Sequence, residues 1–143
     1  MLSTLKALEV AKSYVSKRQM VAVLYMKKNI YAVGLSSTMN RRQLFTSKLF
    51  LPSIHAEVDA MLKAFNNYVR IHHKPLHCNM LVIRYVGTSK PCLHCLQLMR
   101  NPSFHIFIHK VTYLEDGNMV TEKLSDIKTN HISRGFMDKP SII

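Results

Sequence analysis

The chain has 143 residues, 48% of them hydrophobic, and its 20 Lys and Arg against 8 Asp and Glu give a formal net charge of +12. A domain of this size buries roughly 68–70% of its unfolded surface. The composition therefore predicts one folded domain over 1–143, with a core at about 2–124 and a tail at 125–143, and excludes a disordered chain. The longest apolar run, Met20 to Met26, is too short for a membrane-spanning helix, which needs about 20 apolar residues.

The positive charge is concentrated in one long part of the sequence. Between Val10 and Leu114 there are fifteen Lys and Arg but only two acidic residues, Glu57 and Asp59. Such an excess raises the local concentration of anions. Nucleotides, nucleic acid or an acidic membrane surface are therefore candidate partners, although a basic, solvated surface explains the composition equally well.

The cysteines and the first residues indicate a reducing compartment. Three cysteines cannot close a set of disulfides, and the first residues lack the apolar stretch of a signal peptide. We therefore expect an intracellular protein, cytoplasmic or nuclear and not secreted, whose cysteines are thiols or metal ligands.

The first third of the chain predicts a helix followed by a hairpin. Apolar residues recur at helical spacing from about Leu2 to Val15. The apolar run at 19–26 is typical of a strand buried on both faces, and a turn at 27–29 joins it to a second strand at 30–35. A polar loop at 36–53 follows. The apolar positions that define the helix are Leu5, Leu8, Ala11 and Val15.

The middle of the chain predicts two more helices around a third strand. Apolar residues recur at helical spacing from His55 to Val69, and Pro75 lies beyond the end of that helix. Residues 80–86 are typical of a buried strand, and a short helix is predicted from about Cys92 to Arg100.

The last elements are two strands, at 104–114 and 119–124, joined by the turn residues 115–118. A turn this short cannot connect parallel neighbours, so these last two strands are predicted to be antiparallel. The order α-β-β-α-β-α-β-β predicts an α/β fold with a five-stranded mixed sheet and helices on its faces.

Two segments carry residues suited to metal chemistry: His55-Ala56-Glu57 and Pro91-Cys92-Leu93-His94-Cys95. One imidazole and two thiolates make three protein ligands, and a catalytic zinc keeps its fourth position for water. Cys92 and Cys95 share one face of the first turn of a predicted helix, whose positive end favours thiolates. Glu57 need not be a ligand and can exchange protons with the water.

Each segment alone is weakly specific, because a Cys-x-x-Cys is also a redox motif and a single His is usually structural. Together they match the His-x-Glu…Pro-Cys-x-x-Cys signature of zinc deaminases. With the order of elements up to Leu124, and with residues such as Ala60-Met61 and Gln97 beside the two segments, the chain resembles the cytidine/deoxycytidylate deaminase superfamily.

The resemblance implies a three-layer cytidine deaminase-like fold, with helices on both faces of the sheet, and a hydrolytic deamination. His55, Cys92 and Cys95 would hold one Zn²⁺, whose charge lowers the pKa of bound water. Glu57 would take the proton of that water and deliver protons to the ring nitrogen and the departing amino group. Relatives usually associate, so the resemblance also implies a homo-oligomer.

The resemblance further implies a set of substrate contacts. The backbone N–H of Ala56 would hold the ring carbonyl, and the backbone carbonyl of Lys90, just before Pro91, would meet the leaving amine. Asn40 would contact the sugar or the base. Independently of the resemblance, Arg41 and Arg42 could clamp a phosphate, because the fork of a guanidinium matches its oxygens; a role as loop residues in solubility is equally compatible with their positions.

The sequence also departs from known members of the superfamily. Small tetrameric cytidine deaminases that act on free nucleosides usually have Cys at the position of His55, Arg at the position of Leu96, and a Phe-Asn-x-Glu stretch that this chain lacks. The predicted last hairpin, in turn, differs from the helix crossover of polynucleotide and tRNA deaminases. The first departures therefore argue against a free nucleoside as the substrate, and the last hairpin argues against a polynucleotide or tRNA.

Six further Cys and His residues are not assigned to the metal site. Cys78, just before the third strand, is typical of an inert core thiol. Three histidines lie near Pro75 in a predicted loop, where no Cys or carboxylate supports a second metal site, and two more alternate on a strand face. These histidines are His72, His73, His77, His105 and His109.

Three functions remain open at this stage. The first is a zinc-dependent deaminase of a cytosine nucleoside or nucleotide, and the second is a deaminase of cytosine or adenine in single-stranded DNA or RNA. The third is a zinc-containing nucleic-acid-binding protein without catalysis. The intact Glu57 disfavours the third, because a structural zinc site needs no such carboxylate and usually has four protein ligands.

Overall fold

A computed structural model describes residues 2–14, 20–38, 53–84 and 88–129, with the backbone alone at 2–4, 37–38 and 53–54. The helices are α1 (Leu2–Tyr14), α2 (Ala56–Ala64), α3 (Arg70–His72) and α4 (Leu93–Met99). The strands are β1 (Val21–Met26), β2 (Asn29–Leu35), β3 (Ser37–Thr38), β4 (Ser53–Ile54), β5 (Leu76–Ile83), β6 (Ile106–Glu115) and β7 (Asn118–Lys123). A π-helical stretch, Phe65–Val69, joins α2 to α3.

Five strands form one mixed sheet in the order β2-β1-β5-β6-β7. β1 is antiparallel to both of its neighbours, β5 is parallel to β6, and β6 is antiparallel to β7. The predicted five-stranded mixed sheet with its last two strands antiparallel is thus confirmed. β3 and β4 form a separate antiparallel pair inside the predicted polar loop, and residues 39–52 of that loop lie outside the described residues.

Helices cover both faces of the sheet, as predicted. Along β1, Val21 and Val23 pack with α1 in one buried cluster. Ala22 and Leu24 belong to a second cluster that contains α2 and α4. β1 is therefore buried on both faces, which explains its continuous apolar sequence. None of the helices in the described residues has the length and hydropathy that a membrane crossing requires.

The face of α1 that packs on the sheet differs from the predicted one. Ala7 and Ala11 are fully buried, whereas Leu5 is 57% exposed. The two alanines are about one turn apart and share the face on the sheet, whereas Leu5 lies about 200° around the helix from Ala7 and so faces solvent.

The start of β5 was predicted four residues too late. The strand begins at Leu76, so His77 and Cys78 lie within it and not in a loop. In this first half, buried and exposed side chains alternate because one face is open to solvent. In the sequence, the polar residues of this half of β5 are therefore indistinguishable from those of a loop. Burial raises the pKa of Cys78 to about 12, as expected for an inert core thiol.

The start of α2 packs directly on the backbone of β2. A Cβ atom at Gly34 would overlap the carbonyl oxygen of Ala56 and the backbone nitrogen of Ala60, and would lie 2.8 Å from the Cα of Ala60. The residues on either side of Gly34 are bonded to the same helix. The carboxylate of Asp59 accepts from the backbone N–H of Leu35 at 2.9 Å.

A lysine completes this junction. Lys63 forms an ion pair with Asp59 at 3.0 Å and donates to the backbone carbonyl of Val33 at 3.1 Å. Three consecutive residues of β2 are therefore in contact with, or hydrogen-bonded to, α2.

Gly34→Ala tests this junction. We expect it to lower the free energy of unfolding by about 3 kcal/mol or more, because the added methyl group meets backbone that cannot rotate away. Urea denaturation measures the effect, and Gly117→Ala is the matched control. At Gly117 (φ +86°) an added Cβ meets nothing, so only backbone strain of about 1–2 kcal/mol is expected. Equal losses in the two variants would show that the close contact is unimportant.

Candidate metal centre

The residues of the two sequence segments meet on the face of the sheet covered by α2 and α4. His55 is the N-cap of α2 and Cys92 is the N-cap of α4, both with extended backbone. Neither side chain forms a capping hydrogen bond to its own helix. The imidazole and the thiol are instead directed toward each other between the two helix starts.

The donor atoms have the spacing that one metal ion requires. The Nδ1 atom of His55 lies 3.2 Å from the Sγ atom of Cys95 and 3.7 Å from that of Cys92, and all three donor atoms lie within 4.8 Å of one another. A tetrahedral zinc with Zn–S of about 2.3 Å and Zn–N of about 2.0 Å places N and S about 3.6 Å apart. No other such group of three occurs among the described residues.

The two thiols are inequivalent in the metal-free state. A hydrogen bond from Cys95 is the main cause that lowers the pKa of Cys92 to about 3, and the hydrogen bond with His55 acts in the same direction. The same bond to Cys92, together with burial, raises the pKa of Cys95 well above its usual range. These interactions therefore favour the thiolate form of Cys92 and the thiol form of Cys95.

His55 and Glu57 are also perturbed. Burial lowers the pKa of His55, but its hydrogen bond to Cys92 and the negative charges of Glu57 and Cys92 outweigh this and raise it. Glu57 is 2% exposed, and burial is the main cause that raises its pKa to about 7. A carboxyl group with this pKa can both accept and release a proton near neutral pH.

The other predicted site residues divide into two groups. Ala56 is fully buried at the first position of α2, where backbone N–H groups have no partner within the helix. Lys90 precedes Pro91, and its Nζ atom lies 5.9 Å above the ring of Tyr113. Asn40 and Arg41 lie outside the described residues.

Sequence reasoning missed Ser89, which holds the segment that leads to Cys92. Ser89 is fully buried, and its hydroxyl donates to the carbonyl of Val82 and accepts from the backbone N–H of Leu114, both at 2.7 Å. Its own backbone N–H donates to the carbonyl of Leu114 at 2.8 Å. No sequence signal separates it from an ordinary turn serine, because its partners lie on two distant strands.

Comparisons with known proteins were made on the whole chain. The family model described as the cytidine and deoxycytidylate deaminase zinc-binding region matches residues 2–114. Among solved structures, the chain is similar to the cytidine deaminase from Burkholderia pseudomallei, with 15% identity over 85% of this chain and 89% of that chain and a TM-score of 0.52. A search of curated proteins found no significant match.

These comparisons bear on the fold and the metal. The structural similarity, at this low identity, confirms the predicted three-layer fold. The matched family region is zinc-binding, and His55, Cys92 and Cys95 are positioned to bind one metal ion. The predicted zinc cofactor is thereby confirmed.

Zinc content tests the ligand set. We expect one zinc per chain. Loss of a residue that only hydrogen-bonds to a metal ligand weakens affinity roughly 10–100-fold, so we expect Cys92→Ala or Cys95→Ala, which remove a ligand itself, to weaken zinc affinity by more than this. Elemental analysis and chelator competition measure both quantities. Cys78→Ala is the control and keeps its zinc. A Cys95→Ala protein with unchanged zinc affinity would exclude Cys95 as a ligand.

The raised pKa of Glu57 predicts a pH-dependent stability of the metal-free protein. A raised folded-state pKa gives stability that is present below the unfolded value of 4.5 and is lost as pH rises through about 7. Glu57→Gln removes this loss. We therefore expect the free energy of unfolding of the metal-free variant, relative to that of the unsubstituted protein, to be higher near pH 8 than near pH 4 by on the order of 3 kcal/mol. Urea denaturation with a chelator, at both pH values, measures it. A pH-independent difference would contradict the shift.

Proposed function

The chain belongs to the cytidine and deoxycytidylate deaminase family, and on this premise we propose that it is a zinc-dependent hydrolase that deaminates a cytosine nucleoside or nucleotide. The product is the uracil form, with release of ammonia. The observation that carries the proposal is the convergence of three metal-donor atoms with a buried carboxyl group, Glu57, one residue beyond the start of α2.

Glu57 is the proton carrier of this reaction. Zinc held by the three donors supplies positive charge that lowers the pKa of a water molecule. Glu57 accepts one proton from the attacking water and delivers it to the ring nitrogen next to C4. It then takes the second proton, from the hydroxyl that the water has become on C4, and delivers it to the amino group. The water oxygen bonds to C4, the bond between C4 and the amino nitrogen breaks, and ammonia leaves.

Backbone groups at the two helix starts orient the ring. The N–H of Ala56 donates to the ring carbonyl, and the C=O of Lys90 accepts from the amino group. These contacts fix the base between α2 and the segment before α4, which Ser89 holds in place. Asn40 at the sugar or base remains a prediction from the resemblance, and Arg41 at a phosphate remains a prediction from the geometry of its guanidinium.

A second candidate function is deamination of cytosine or adenine in single-stranded DNA or RNA. It is favoured by the net charge of +12 and by the residue after Cys95. Leu96 is 1% exposed and lies in the hydrophobic core, where free-nucleoside enzymes would carry an Arg. With one His and two thiolates, a Zn²⁺ site is already neutral, so this position needs no cation.

Product analysis tests the proposal. Zinc-loaded protein is incubated with cytidine, deoxycytidine, their monophosphates, single-stranded DNA and tRNA, and uracil or inosine is detected by mass. We expect turnover of at least one nucleoside or monophosphate and a loss of about 100-fold or more in Glu57→Gln, since it cannot carry the proton. Glu115→Gln, at an exposed position, is the matched control.

The outcomes separate the candidates. Turnover of polynucleotides alone would support the second function and contradict the first. Absence of turnover on every substrate, or full activity in Glu57→Gln, would overturn the proposed chemistry.

A further inference from the structure

Strand β6 extends beyond its edge partner and borders an open groove. β7 pairs with β6 only from Lys110 to Glu115, so residues 106–109 have no strand partner on that edge among the described residues. The groove beside them has a volume of about 710 Å³, and its walls are the end of α4 and the turn after β7. The lining residues that matter here are Arg100, Phe107, His109, Lys110, Lys123 and Ser125.

The groove is basic and its lysines oppose each other. Lys110 and Lys123 are partners in the β6–β7 register, and like charges directly opposite each other destabilise a strand pair. No acidic residue lines the groove, and the ion pair of the described residues involves neither lysine. An anion between the two ammonium groups would relieve this repulsion.

Arg100 shapes the wall of the groove. Its guanidinium donates to the carbonyl oxygens of Leu124 and Ile127, both at 2.7 Å. These bonds attach the turn after β7 to the end of α4. Two segments that are hydrogen-bonded to each other therefore form the walls of the groove, and Lys110 and Lys123 are exposed at its side.

A row of flat rings lies next to these lysines. Phe107 is 37% exposed, and its ring stacks on that of His77 at 5.1 Å with an interplanar angle of 21°. His77 in turn stacks with His109 at 5.3 Å and 14°. The parallel register of β5 and β6 creates this row by pairing His77 with Phe107, although the sequence places the two histidines in separate, unrelated segments.

From this arrangement we propose that the groove and the ring row bind single-stranded nucleic acid. The phosphates lie on Lys110 and Lys123, and unpaired bases stack on the rings, which is the combination found in binders of single strands. A double helix offers phosphates but no exposed base faces, so it fits only half of this surface.

This surface goes beyond the proposed function, because it is separate from the zinc site. Two zinc ligands, Cys92 and Cys95, lie in the first turn of α4, and the groove begins at its last residue, Met99. Along the helix axis, Met99 is about 6 Å from Cys95, and Arg100 is about 12 Å from Cys92. Binding here requires no turnover, and turnover of a free nucleoside requires no binding here.

The test is fluorescence anisotropy with the zinc-loaded full chain and a labelled oligothymidine of about 15 nucleotides. This probe contains no cytosine, so the result does not depend on deaminase activity. The double variant Lys110→Ala/Lys123→Ala is compared with Lys27→Ala/Lys28→Ala, which removes the same charge from the exposed turn between β1 and β2. Phe107→Ala tests stacking, and thermal melting verifies that each variant is folded.

We expect saturable binding at about 50 mM salt that weakens with added salt. The groove double variant should reduce the slope of log affinity against log salt by about 1.4, since each phosphate contact on a single strand contributes about 0.7, and the control pair should leave it unchanged. Phe107→Ala should raise Kd about fivefold or more.

Three results would overturn the proposal. They are equal effects of the two lysine pairs, equal affinity for a duplex of the same length, and displacement of the probe by inorganic phosphate at concentrations comparable to the probe. The first result would show a general effect of charge. The second would show that the surface does not contact the faces of the bases, and the third would show that the groove is a site for a free anion.

Discussion

The metal centre depends on the close packing of α2 against β2 at Gly34. Because no side chain stands between them, the helix lies close to the strand, and its first residues cannot slide along the sheet. Asp59 and Lys63 bond to the residues on either side of Gly34. The position of the first turn of α2, which carries His55 and Glu57, therefore depends on a backbone-to-backbone contact.

The thiol ligands depend on a second junction at the opposite part of the sheet. Ser89 connects the ends of β5 and β6 through three hydrogen bonds, to Val82 and Leu114, and Cys92 follows three residues later. The two junctions involve different strands, so the donor atoms meet only when β2, β1, β5 and β6 are assembled in order. The site is a product of the folded sheet, and a metal bound there would stabilise this arrangement.

The sequence allowed the elements and the ligand set to be predicted, because helical spacing, turn residues and the Cys-x-x-Cys pattern are local features. It did not allow the junctions to be predicted. Gly34 looks like any glycine in a strand, and Ser89 like any serine in a turn, since their partners are set by the packing of distant segments. The start of β5 was missed for a related reason: His77 lies on an exposed half-strand, where polar residues carry no strand signal. Its neighbour across the sheet, Phe107, is known only from the parallel register.

The hydrogen bonds among the three donors favour the thiolate form of Cys92 and the thiol form of Cys95. Metal ligands must be deprotonated, so zinc binding at this centre has to release the proton of Cys95 and any proton on His55. The affinity of this ligand set for zinc therefore falls as the pH falls, and Cys95 is the sulfur at which protons compete most directly with the ion.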